Sequence, residues 1–222
     1  MVRMTSHDLK NPLQAALANL DLLREDIDVN NQEAIISLDL IEKQLSKMSR
    51  IISGILDLER IKHGYRIYNE SVDLYNLLIQ VVEEIEDYAK DNKINIIENF
   101  DILKQETLVG DFQQLKRVFV NLIENAIKFT PEQGQVWVFA EVEKSQVCIN
   151  VKDNGIGIPS ELTERIFERF FRGQQDEYQH VSGSGLGLSF VKSIVENHQG
   201  KIIVESEVNK GSCFKVIFDR VE

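Results

Sequence analysis

The residues of this sequence best able to do chemistry fall into four groups that lie far apart along it. The first is Ser6-His7-Asp8-Leu9-Lys10-Asn11-Pro12. A carboxylate that takes the proton of one imidazole nitrogen leaves the lone pair of the other free to attack an electrophile. Asp8 is the adjacent carboxylate. The second is Asn121-Leu122-Ile123-Glu124-Asn125-Ala126-Ile127-Lys128. Asn121, Asn125 and Lys128 recur at spacings of four and three, which puts them on one helix face. Asparagine is a mediocre helix former, so two on one face call for partners. An amide oxygen is a hard ligand suited to Mg²⁺, and a lysine one turn on could meet phosphate.

The third group is Asp153-Asn154-Gly155-Ile156-Gly157-Ile158-Pro159, directly after an apolar strand. Asp153 could accept a hydrogen bond from an exocyclic amine, and glycines there would let a ligand approach closely. The fourth is Gly183-Ser184-Gly185-Leu186-Gly187-Leu188-Ser189, which opens a helical pattern. Unpaired N–H groups at a helix start attract phosphate, and glycines remove obstructing side chains. Each group also has an ordinary reading: a solvated pair, a solvated helix face, a strand-ending turn and a glycine-rich turn.

The elements that must position these residues can be read from periodicity. Leu9, Leu13, Ala16, Leu17, Leu20 and Ile27 recur at helical spacing and make residues 5–28 a first helix. His7 lies opposite that stripe and points outward, and Pro12 breaks the hydrogen bond to the Asp8 carbonyl and kinks the turn. Residues 28–31 form a turn. Residues 32–62 form a second helix with Leu38, Ile41, Leu45, Met48, Ile52 and Ile55 in a heptad seam. Such a hairpin buries only part of its apolar surface. Pairing with a second copy as a dimeric four-helix bundle is the expected remedy; packing on the chain's own C-terminal half is the alternative.

Lys62-His63-Gly64-Tyr65 ends the helix and marks a boundary between a domain of residues 1–64 and one of residues 65–222. Strands are expected at 65–69, 94–98, 107–109, 135–143, 146–152, 201–205 and 213–218, and helices at 73–91, 111–129 and 186–198. Helices grouped beside a mostly antiparallel sheet make an α+β two-layer sandwich. Residues 165–182 carry Phe167, Phe170 and Phe171 ahead of a polar run, the profile of a lid. His180 and His198 have no acidic or cysteine partner at metal spacing and are read as structural or solvated.

With 36 acidic against 25 basic residues the formal net charge is −11, which disfavours binding to nucleic acid or anionic lipid. Cys148 and Cys213 sit in alternating apolar runs and are read as reduced core thiols of a cytosolic protein. No apolar run is long enough to span a membrane. The first helix begins almost at residue 1 with no cap, so an upstream sensing or anchoring region is expected.

In this order the groups resemble the catalytic core of a two-component sensor histidine kinase. The five family signatures appear as His7 to Pro12, Asn121 to Lys128, Asp153 to Gly157, Phe167 to Arg172 and Gly183 to Gly187, and the resemblance covers essentially the whole chain. It implies the fold shared by histidine kinases and gyrase-type ATPases, with ATP and Mg²⁺ as cofactors. His7 would be the phosphoacceptor and Asp8 its proton acceptor. Asn125 would hold Mg²⁺, with Asn121 supporting it and Lys128 reaching phosphate. Asp153 would read the adenine amine, with Gly155 and Gly157 beside it. Arg172, Gly183, Ser184, Gly185, Leu186, Gly187 and Ser189 would meet the triphosphate. The phosphoryl group would pass to an aspartate of a response-regulator receiver domain, and Asn11 would orient water for the reverse, dephosphorylating reaction.

Ala15, Ala18, Asn19 and Leu22 form a small strip near His7, where that regulator would dock. Relatives often carry Tyr at Phe129, so a hydroxyl contact to nucleotide is missing here. One rival is an ATPase of the same superfamily, but those carry Glu in place of Asn121, and an amide cannot serve as a base. The other rival is a catalytically silent dimeric scaffold.

Overall fold

The computed structural model describes residues 70–171 and 185–220, residues 34–42, and single helical positions at 13, 16, 20, 23, 45, 48 and 52. The chain divides into two compact units, Met1–Gly64 and Tyr65–Glu222. In the first, residues 34–42 are helical, as are the seven single positions. Leu13, Leu20 and Leu38 are buried, whereas Ile36, Leu40, Ile41 and Met48 stay about half exposed or more in the single chain.

The second unit is a layer of helices on a sheet. Its elements are β1 (Glu70–Asp73), α1 (Leu74–Asp91), β2 (Asn95–Asn99), β3 (Thr107–Gly110), α2 (Phe112–Lys128), β4 (Gln135–Val142), β5 (Gln146–Asp153), α3 (Gly187–Asn197), β6 (Lys201–Glu207) and β7 (Gly211–Asp219). Short 3₁₀ turns occupy Asp101–Leu103, Ser160–Leu162 and Arg165–Phe167. The main sheet has five strands in the order β2-β4-β5-β7-β6. β2 runs parallel to β4, and the other neighbours are antiparallel. β1 and β3 pair separately as an antiparallel ribbon.

One face of the sheet carries the core. Val136, Val138, Ile149, Val151 and Val216 are fully buried beneath Leu77, Val81, Leu115, Val118, Phe119, Leu122 and Ile194 from the three helices. Burial of this kind is the main stabilising term, worth about 1.5–3 kcal/mol for each large side chain. The helices start where an acid can cap them. Asp73 and Asp111 accept the backbone N–H groups of Asn76 and Gln114 at 2.9 and 3.0 Å. Both residues therefore precede the helices that periodicity had placed them in.

One expectation falls outside the described residues and one is corrected. The strand expected at 65–69 lies outside the described residues, and the strand that forms is Glu70–Asp73, paired with Thr107–Gly110. Its alternation is carried by Val72 alone, too weak a period to read. Cys148 and Cys213 are free thiols but not core residues; both are half-buried on the helix-free face. Cys148 opposes Ile217 and Cys213 opposes Lys152. They are thus offset by roughly 13 Å along the ladder, beyond disulfide reach. Burial pushes the Cys213 thiol up to about 11 and raises Cys148 as well, so both remain protonated.

Replacing Asp73 by Ala removes the cap of α1 and is expected to cost about 1 kcal/mol. Urea unfolding followed by the fluorescence of Trp137, the single tryptophan, measures it; an unchanged midpoint would show that the cap carries no stability.

Candidate functional site

The site is assembled at the ends of β5, α2 and α3. Asp153 closes β5 and is only 4% exposed. Its Oδ1 accepts the Gly155 N–H at 2.8 Å and the Ser212 N–H at 3.2 Å. Oδ2 has no protein partner among the described residues. Desolvation raises the carboxyl above its ordinary value, and the two backbone N–H groups oppose that shift. A buried acid with one oxygen tied and the other unpaired is suited to accept a hydrogen from a ligand N–H.

The glycines after Asp153 leave room for neighbouring backbone, and Gly157 adopts a conformation that favours glycine. A Cβ on Gly155 would lie 2.2 Å from the Phe129 carbonyl oxygen. Gly157 has φ +70, and a Cβ there would lie 2.1 Å from the Glu207 carbonyl oxygen. So these positions admit neighbouring protein backbone. The turn is stitched down by Ile156 N–H to the Phe129 carbonyl (3.1 Å) and Asn209 N–H to the Ile156 carbonyl (2.8 Å). Ile158 N–H donates to Ser206 Oγ at 2.7 Å. Asn154 accepts the Gln135 N–H at 2.8 Å and binds the turn to β4.

On α2, Asn121 donates from Nδ2 to the Arg117 carbonyl at 2.8 Å. Its Oδ1 faces Gly187, where an added Cβ would stand 3.0 Å away. Half-buried Asn125 has a side-chain amide with no hydrogen bond among the described residues, while its carbonyl accepts the Phe129 N–H at 3.0 Å. Lys128 Nζ lies 3.6 Å from Glu124, an i,i+4 pair. Phe129 is the helix C-cap residue.

α3 begins without a side-chain cap, so its first N–H groups have no capping side chain among the described residues. Gly185 precedes it at φ +68, and a Cβ there would come within 2.8 Å of Phe170 Cα. The Phe170 N–H donates to the Gly185 carbonyl at 2.9 Å. Phe170 itself has φ +63 and is 57% exposed, an unusual backbone state for an aromatic residue. Phe167 is anchored edge-on to Phe214, with centroids 6.5 Å apart. Leu186 is buried, and its carbonyl accepts the Ser189 hydroxyl at 2.9 Å. Ser189 is thus committed to the helix start rather than presented outward.

His7, Asp8, Asn11, Ala15, Ala18, Asn19, Leu22, Arg172, Gly183 and Ser184 lie outside the described residues. Of the others, Asp153, Gly155, Gly157 and Phe129 come together around one turn, and Asn121 meets Gly187. Sequence reasoning missed Ser212, whose N–H holds Asp153, and Gly211. A Cβ on Gly211 would lie 2.0 Å from the Asp153 carbonyl oxygen, and its φ is +104. The signal was the Asn209-Lys210-Gly211 turn between two strands; its role depends on where the hairpin lands. His198 is structural: it is buried and bonded at both ring nitrogens.

Comparison with known families fits this geometry. Residues 110–222 match the Histidine kinase-, DNA gyrase B-, and HSP90-like ATPase family, and residues 1–64 match the His Kinase A (phospho-acceptor) domain. The chain belongs to the sensor histidine kinases. Among curated relatives, the adaptive-response sensory kinase SasA of Synechocystis sp. is 33% identical over 222 residues, 96% of this chain and 57% of that protein. Sporulation kinase A of Bacillus subtilis is 33% identical over 216 residues, 97% of this chain and 33% of that protein. The chain thus spans between a third and somewhat over half of these relatives.

Among solved structures, the catalytic domain of histidine kinase ThkA is 30% identical with a TM-score of 0.59, covering 68% of this chain and 97% of that one. Full-length ShkA, solved in complex with AMPPNP, shares the fold at TM-score 0.81 and 24% identity, over 100% of this chain and 46% of that one. The second unit of this histidine kinase is accordingly an ATP-binding fold. Among the described residues no helix is long and apolar enough to cross a membrane.

A carboxyl raised in the folded state binds more protons folded than unfolded. It favours the fold most below its unfolded value, and that contribution is lost as pH rises through the folded value. Asp153→Asn keeps the Oδ1 acceptor and removes the titration. The stability of Asp153→Asn minus that of the parent is therefore expected to grow between about pH 3 and about pH 8. Urea unfolding across that range reads it, and a difference that stays flat or shrinks would contradict the buried-acid account.

Proposed function

We propose that this chain transfers the γ-phosphoryl group of ATP to His7 and then to an aspartate of a response-regulator receiver domain. The observation that carries the reading is Asp153: a buried acid with one oxygen fixed by Gly155 and Ser212 and the other unpaired, within a matched ATPase domain that follows a matched phosphoacceptor domain. Its Oδ2 accepts the adenine amine. The uncapped N–H groups of Gly187 and Leu188 face the phosphates, together with Lys128, released from Glu124, and Arg172.

The donor set fits Mg²⁺. The unpartnered Asn125 amide offers one hard oxygen, and this ion keeps most of its shell as phosphate and water. Bound there, Mg²⁺ would neutralise charge on the β- and γ-phosphates. Such chemistry needs positioning and charge neutralisation more than covalent help.

At the acceptor, one nitrogen of His7 attacks the γ-phosphorus, the bond to the bridging oxygen breaks, and ADP leaves. The imidazole then surrenders its other N–H proton to Asp8. Asn121 favours transfer over hydrolysis, since an amide cannot deprotonate water. Asn11 orients water when the phosphorylated regulator is dephosphorylated. The half-exposed Ile36, Leu40, Ile41 and Met48 support a homodimer built through the hairpin. The strip Ala15, Ala18, Asn19 and Leu22 is the proposed docking surface for the receiver domain.

Incubation with Mg-ATP labelled on the γ-phosphate tests the reading. The expected outcome is an acid-labile label that His7→Gln abolishes. Phosphate release without labelling would indicate an ATPase, and neither signal would indicate a silent scaffold. Leu22→Lys is expected to slow transfer to the regulator by about tenfold while leaving His7 labelling intact; unchanged transfer would remove that docking surface.

A further inference from the structure

Three contacts join α2 to α3 along antiparallel paths. At one end Asn121 Oδ1 faces Gly187. Midway, the Arg117 guanidinium lies 4.3 Å from the centre of the Phe190 ring. At the far end, His198 caps α3 and reaches the first turn of α2, where the Asp111 N–H donates to Nε2 at 3.0 Å. Nδ1 lies 2.8 Å from the Ile194 carbonyl oxygen. One form of the ring, neutral with its hydrogen on Nδ1, satisfies both contacts. The imidazole rests on Gly110, where an added Cβ would come within 2.6 Å of Cδ2. Asp111, so held, is also the residue that caps α2.

Apolar packing presses α2 onto the sheet but is non-directional, so it opposes sliding along the helix axis only weakly. A hydrogen bond to a ring fixed at both nitrogens is directional and holds to within a few tenths of an ångström. A shift of about 1 Å is enough to cost a catalytic arrangement up to about a hundredfold in rate.

We infer that His198 is a positioning residue for phosphoryl transfer. It sets the axial register of α2 against α3, and with it the placement of Asn121, Asn125 and Lys128 against the N–H groups that open α3. This rests on the kinase reading above and adds to it a residue that touches no nucleotide. The Asp153 carboxylate belongs to β5 and takes its two hydrogen bonds from Gly155 and Ser212, outside that helix pair; its turn meets α2 at the Phe129 carbonyl that ends the helix. Loss of the His198 contact therefore lowers turnover more than it weakens nucleotide binding.

The test measures His7 labelling by Mg-ATP on the whole chain. His198→Leu is expected to lower kcat about tenfold or more while KM for ATP stays within about threefold. Gly110→Ala, which pushes a methyl group into the ring from the other side, is expected to give the same split. His198→Gln, whose side-chain oxygen can take the Asp111 N–H, recovers most of the rate. Trp137 fluorescence of the same samples reports the folded fraction. An unchanged kcat in His198→Leu, or a loss that merely follows the folded fraction, overturns the inference. A parent chain that binds ATP but labels nothing overturns the kinase reading, and this inference with it.

Discussion

A carboxylate can stay buried only if the protein supplies hydrogen bonds in place of water, and the second unit is arranged around doing that for Asp153. One N–H comes from the next turn, through Gly155, and one from a hairpin almost sixty residues later, through Ser212. Bringing the hairpin that close requires missing side chains on both sides. Gly155, Gly157 and Gly211 each leave room for a carbonyl oxygen within about the length of a bond and a half of where a Cβ would stand. Desolvation raises the acid while the two donors counter it, so the group keeps one tied and one unpaired oxygen.

The same constraint shapes how an acidic protein holds a polyanion. With a net charge of −11, attraction over distance works against ATP, so the recognition must be short-ranged. In the proposed function, backbone N–H groups at the uncapped start of α3 would serve this end, because they carry no net charge and point one way. Lys128 is a cation of the α2 face that carries Asn121 and Asn125, and Glu124 sits 3.6 Å from it. At 3.6 Å this i,i+4 pair is long and only partly covered, so a phosphate could displace the carboxylate.

The antiparallel seam of α2 and α3 links the two subsites. Asn121 meets Gly187 at one end and Asp111 meets His198 at the other, with Arg117 over Phe190 between them. The directional bond to His198 at one end and the close approach of Asn121 to Gly187 at the other fix how the two helices pack. A backbone hydrogen bond from the Phe170 N–H to the Gly185 carbonyl joins Phe170 to the approach to α3. Positive φ at Phe170 shows that the junction is held against local backbone preference there, whereas Gly185 adopts it freely.

Local patterning by itself determined the elements. Helical spacing located α1, α2 and α3 to within a residue or two, and alternation located β4 to β7, because those signals reside in neighbouring residues. It also determined which residue types lie on the chemical faces: the two asparagines of α2, Asp153, and the glycines before α3. Only the tertiary structure decided what Gly155, Gly157 and Gly185 are for, since the backbone they admit belongs to Phe129, Glu207 and Phe170, far off in sequence. It likewise decided that Cys148 and Cys213 lie on the helix-free face, because either side of a strand with mixed alternation can turn inward. Ser212 and His198 were silent in sequence for the same reason. A backbone N–H has no residue type to read, and a lone histidine acquires a role only when folding brings the first turn of another helix to its ring.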